Sequence, residues 1–192
     1  MSSRPGFTLL SRGLHWLMAA LILAMLFIGV AMVASLADYH ALVSLHEPLG
    51  ILILALVVIR LANRLLHPAP PLPGHLPRWQ RLAAKASHVA LYGLMLAMPL
   101  IGWAMLSAAG YPIALWGSLH LPPILPHDAM VYAALRQAHT VLAYLLFATI
   151  SAHLAAALMH ALIHRDGVFE SMAPWRAPKG RNEEPPAVVP VP

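Results

Sequence analysis

The chain has 192 residues, of which 60% are hydrophobic and 10% charged, with a formal net charge of +5 and 12 His. Soluble domains carry about 25% charged residues, so this composition excludes both an ordinary soluble enzyme and a disordered chain. No Cys is present, which excludes disulfides, thiolate catalysis, Cys-ligated iron–sulfur clusters and haem attached through a Cys-x-x-Cys-His motif.

Four apolar segments follow in chain order, each close to the ~20 residues that cross a bilayer: residues 14–37, about 42–62, 86–109 and 140–163. Backbone groups in lipid must be satisfied internally. The expectation is therefore an all-α membrane protein, a four-transmembrane-helix bundle. The first segment has an apolar core about twice the length of a signal-peptide core and reads as a retained helix. The second carries Glu47 and Pro48 at its start and Arg60 near its end. The connection over 67–75 is rich in Pro and reads as extended and stiff. Pro99 predicts a kink near Ala97 in the third segment. The span 110–137 reads as a long outer loop. The fourth segment is rich in Ala, which allows close approach of helices or a flat cofactor. Residues 1–176 read as a single domain, and the Pro-rich tail over 177–192 as disordered.

Of the 12 Lys and Arg residues, 11 fall on one side of this arrangement, and only Arg136 falls on the other. Positive residues mark the cytoplasmic side, so both termini are expected in the cytoplasm. The basic residues flank apolar runs instead of forming a stripe, so they point to lipid and not to nucleic acid.

Six His lie in or at the ends of the apolar segments: His15, His46, His88, His139, His153 and His160. Ionisable groups in a membrane are costly and usually functional. On an α-helix His139 and His153 share a face about 21 Å apart, with His160 on the same stripe. His46 and His139 lie near the outer ends of their helices and can meet at one depth. His15 can meet the lower part of the fourth helix, where both His153 and His160 are within reach by depth. Paired neutral imidazoles at two depths suit the two axial positions of haem iron, so the pattern points to two haems stacked across the bilayer.

The sequence also resembles the bacterial cytochrome b561 family, and within it the membrane superoxide oxidase branch. The matching stretches are Leu14-His15-Trp16, Ser44-Leu45-His46, Val57-Val58-Ile59-Arg60-Leu61 and His67-Pro-Ala-Pro-Pro. They continue through Ser87-His88-Val89-Ala90-Leu91-Tyr92, Ala97-Met98-Pro99-Leu100-Ile101-Gly102, His139, and the run from His153 to His160. The resemblance implies two haem b groups, with His15 paired with His153 and His46 with His139. It implies a bacterial inner-membrane oxidoreductase that takes electrons from superoxide on the periplasmic side and reduces ubiquinone with cytoplasmic protons. His160 and His88 are then candidates for binding quinone or relaying protons, and Arg136 for guiding an anionic substrate. Asp38, Glu47 and Asp128 oppose Arg136, so the charge pattern adds no support for superoxide. The alternative is a cytochrome b subunit that exchanges electrons between quinone and a partner dehydrogenase or hydrogenase. A transporter using His as metal or proton sites is disfavoured by the scarcity of acids in the helices.

Overall fold

The computed structural model describes residues 6–74, 76–116 and 119–173, with the backbone alone described at Trp116. The expected disordered tail lies outside these residues, as do Arg4, His75, Arg176, Lys179 and Arg181. Four helices are long and apolar enough to cross a membrane. They are α1 (Leu9–Ala34), α2 (Tyr39–Leu66), α3 (Arg78–Ala109) and α4 (Ala129–Met159). A two-stranded antiparallel hairpin, β1 (Ala114–Trp116) and β2 (Leu119–His120), sits between α3 and α4, and a short α5 (Val168–Met172) follows.

The helices start earlier than their apolar runs, and in α1 and α4 a capping side chain sets the start. Thr8 caps α1, its hydroxyl accepting from the Ser11 N–H at 3.2 Å. Asp128 caps α4, its Oδ1 accepting from the N–H groups of Met130 at 2.8 Å and Val131 at 3.0 Å. Each cap satisfies N–H groups that a helix start leaves unpaired. Residues 129–137, expected in the outer loop, are therefore helical. Gly110 ends α3 at φ +78°, where the N–H of Tyr111 reaches the Leu106 carbonyl and that of Gly110 the Ser107 carbonyl, both at 3.0 Å. Only a residue without Cβ adopts this turn at low cost. Pro48 and Pro99 lie inside α2 and α3, which continue through them.

The buried core is small: Met18 and Ile22 of α1, Ile53 and Val57 of α2, and Leu146 of α4. Large apolar side chains such as Phe27, Val33, Val89 and Tyr144 point outward, as they do where lipid replaces water. Backbone packing is uneven. α1 runs along α2, α2 along α3 and α3 along α4, while α4 makes no extended close approach to α1 or α2 among the described residues. The first and last described segments meet on one face. There the Phe7 N–H bonds the Ser171 carbonyl, Arg12 Nε the Ala173 carbonyl at 2.6 Å, and Trp16 Nε1 the Met172 carbonyl at 2.9 Å. α5 is thus strapped to the start of α1. The opposite face carries the hairpin, pinned by Trp103 Nε1 to the Pro122 carbonyl at 2.9 Å and by the Ile124 N–H to Ser107 Oγ at 3.1 Å.

Candidate functional site

The space that α4 leaves toward α1 and α2 is bridged by histidines. Near the hairpin face, the His46 ring of α2 and the His139 ring of α4 have centroids 6.2 Å apart. Toward the terminal face, the rings of His15 on α1 and His153 on α4 are 6.5 Å apart. The depth ambiguity at the lower position is resolved geometrically, since His15 faces His153. His160 has other partners. It begins a π-helical turn (His160–His164), donates from Nδ1 to Asp166 Oδ2 at 2.8 Å, and packs its ring 5.2 Å from that of His164.

The surroundings of the two pairs differ. At the upper pair, Nδ1 of both His46 and His139 is buried without a hydrogen bond. The Met98 carbonyl of α3 lies near the His139 ring. Gly102 of α3 lies so close that a Cβ there would stand 3.4 Å from His139 Cε1. Glu47, next to His46, accepts from the Ala114 N–H, which ties β1 to α2. Arg136 is exposed one turn before His139, and the Thr140 hydroxyl bonds its backbone carbonyl.

Polar groups crowd the lower pair. His88 of α3 stands 5.5 Å from His153, and its Nδ1 donates to the Ala84 carbonyl at 2.6 Å. Arg60 lies within electrostatic reach of both His15 and His153, and its Nε donates to the Tyr92 hydroxyl at 3.2 Å. Composition and helical position flagged every His in these groups. They gave no signal for Asp166 or Tyr92, whose relevance depends on the π turn and on helix rotation. Asp166 Oδ1 also accepts from the Val168 N–H at 3.2 Å. Partial burial opposes ionisation of Asp166, but the His160 and Val168 hydrogen bonds prevail and hold its carboxyl below the usual carboxylate range.

A sequence model described as prokaryotic cytochrome b561 matches residues 6–175. The chain belongs to the prokaryotic cytochrome b561 family. It is 36% identical over 171 residues to cytochrome b561 homolog 2 of Escherichia coli, covering 86% of this chain and 90% of that one. Against cytochrome b561 homolog 1 of the same organism it is 30% identical over 131 residues, covering 68% and 74%. Against a probable superoxide oxidase, CybB, of Yersinia pestis it is 30% identical over 174 residues, covering 88% and 96%. This cytochrome b561 chain is therefore a bacterial membrane protein of a b-type, haem-binding, electron-transferring family.

The residues fit that cofactor. With a metal–imidazole bond of about 2 Å and a ring nitrogen about 1 Å from its centroid, two imidazoles on opposite sides of one iron have centroids about 6 Å apart. The observed 6.2 and 6.5 Å agree. Among the described residues, no group of three or more His, Cys, Asp or Glu could hold a bare ion. Two imidazoles suffice when a macrocycle supplies the other four donors.

Proposed function

We propose that this cytochrome b561 binds two haem b groups and oxidises superoxide at its hairpin face while reducing ubiquinone at its terminal face. The observation that carries this reading is the pair of trans-spaced imidazole couples at two depths of one bundle. The fourteen residues between His139 and His153 put them about 21 Å apart along α4. His46 with His139, and His15 with His153, would hold the two haems. Bound haem would supply one-electron carriage at each depth. The terminal face is proposed to be cytoplasmic in the bacterial inner membrane, because nearly all the Lys and Arg residues lie on that side.

In the overall reaction two superoxide anions each lose one electron and leave as dioxygen. Ubiquinone takes both electrons with two protons and leaves as ubiquinol. Arg136, exposed beside the upper pair, attracts the anion. At the terminal face, His160 holds its Nδ1 proton on Asp166 and so keeps Nε2 free to exchange a proton with a quinone oxygen. His88, with Nδ1 fixed on Ala84, presents its other nitrogen in the same way. The relative named as a probable superoxide oxidase, covered along 96% of its length, supports superoxide as the donor.

A second reading makes the chain a haem-bearing subunit for a partner protein. Exposed Tyr111, Leu119 and Ile124 on the hairpin face offer such a partner an apolar contact. The deciding experiment is the purified holoprotein in liposomes, given superoxide and ubiquinone. Ubiquinol formation that depends on superoxide supports the first reading. A protein with a normal b-type spectrum and no ubiquinol formation supports the second. A featureless visible spectrum overturns both.

A further inference from the structure

α2 ends with two guanidinium groups one turn apart, Arg60 and Arg64, both half-buried at the terminal end of a membrane-spanning helix. Neither has a carboxylate partner among the described residues, where the ion pair is His160 with Asp166. Two half-buried cations without an anion are unfavourable in a low-dielectric setting. Arg64 Nη1 is buried with no acceptor at all, and its guanidinium lies over the Phe7 ring at 5.5 Å. Arg60 spends Nε on Tyr92 and reaches the Ser11 carbonyl only at 3.4 Å. Both arginines line one cavity with Ser11, Asn63, His88 and Tyr92. Asn63 is 7% exposed and holds Ser11 Oγ at 2.7 Å through Nδ2. Its Oδ1 is buried without a hydrogen-bond donor.

The cavity, about 30 Å³, is small and partly open, and a carboxylate suits its lining of two guanidinium groups and a hydroxyl. The planar fork of a guanidinium matches a carboxylate with two parallel hydrogen bonds. Arg60 also lies within reach of His15 and His153, so the nearest carboxylate to expect is one carried by whatever those two imidazoles hold.

We propose that this cavity seats a propionate carboxylate of the lower haem, gripped by Arg60 and Arg64 with the Tyr92 hydroxyl orienting Arg60. The inference rests on the two-haem reading above. It gives the lower haem a charged anchor at the terminal end of α2.

The test follows haem transfer from the full-length holoprotein to excess apomyoglobin, with native haem b and with its dimethyl ester. The wild type is compared with Arg64→Gln, Arg60→Gln and Tyr92→Phe. With native haem, each Arg variant should release one of its two haems about tenfold faster, the scale of one charge-assisted hydrogen bond. Tyr92→Phe should show a smaller change. With the ester, wild type and variants should release haem alike. Equal acceleration with both haems, or no acceleration with either, overturns the proposal while leaving the two-haem reading intact. Unchanged haem release with loss of co-purifying anionic phospholipid also overturns it and assigns the cavity to a headgroup phosphate. A wild type that binds no haem overturns both.

Discussion

The two histidine couples are alike in spacing and unlike in company. At the upper couple both Nδ1 atoms are buried without a hydrogen bond, and Gly102 of α3 lies close to the His139 ring. The lower couple stands beside His88, Arg60 and Tyr92. Beyond it, α5 straps the terminal face and the π turn brings His160 onto Asp166. The lower surroundings hold more groups that can exchange protons than the upper ones do, so on the proposed function the proton-coupled electron chemistry belongs to the terminal face. The contrast also sets a direction for electrons. Cations near a carrier favour its reduced form by Coulomb attraction, and Arg60 and Arg64 belong to the lower site alone. On the two-haem proposal, electrons entering at the upper site would therefore run downhill to the lower one.

The largest effect expected to separate the sites is loss of a single haem. His139→Ala should remove the upper haem and keep the lower, halving haem per chain in a pyridine haemochrome assay. His153→Ala should do the reverse. If either variant loses both haems or neither, the couples are not independent ligand sets. His88→Ala is the control: its ring is closer to His153 than that of His15 is, and retention of both haems identifies His15 as the ligand.

Next in size is the order of the two potentials. Redox titration of the wild type should resolve two waves, and the wave that survives in His139→Ala, from the lower site, should be the higher. A surviving wave at the lower potential would reverse the proposed direction of flow.

A smaller and more local effect is expected at Gly102. Gly102→Ala gains about 1 kcal/mol of helix propensity but places a methyl 3.4 Å from His139 Cε1. These oppose each other, so thermal stability should change little while the upper wave alone shifts. A shift confined to the lower wave would place Gly102 elsewhere in the function.

The smallest effect concerns pH. The Asp166 carboxyl titrates below its ordinary value in the folded chain. The stability it contributes is complete above the unfolded-state value and is lost as pH falls through the folded one. Asp166→Asn should therefore flatten the acid limb of a stability profile below about pH 4 and leave neutral pH nearly unchanged. An acid limb identical to that of the wild type would show that the His160 contact contributes nothing to folding.

Much of the molecule was legible as sequence, for physical reasons. Four spans are written in hydropathy because lipid tolerates few charges over twenty residues. The six helical His stand out because ionisable groups there are costly. Helical periodicity alone put His139 and His153 on one face. Helix ends were less legible, since Thr8 and Asp128 start α1 and α4 through hydrogen bonds and not through apolar character. The hairpin was missed because two short strands carry little periodic signal.

The amino-acid sequence by itself determined the class of protein, the number of spans and the residue type that meets a cofactor. All of these are consequences of solvent transfer and one-dimensional spacing. Tertiary structure alone decided which rings face each other, because that depends on the rotation and separation of helices that no local pattern specifies. It decided for His153 over His160 opposite His15, and it turned His160 to Asp166 through a π turn. It also gathered Arg60, Asn63 and Arg64 of α2 and Tyr92 of α3 around one small cavity.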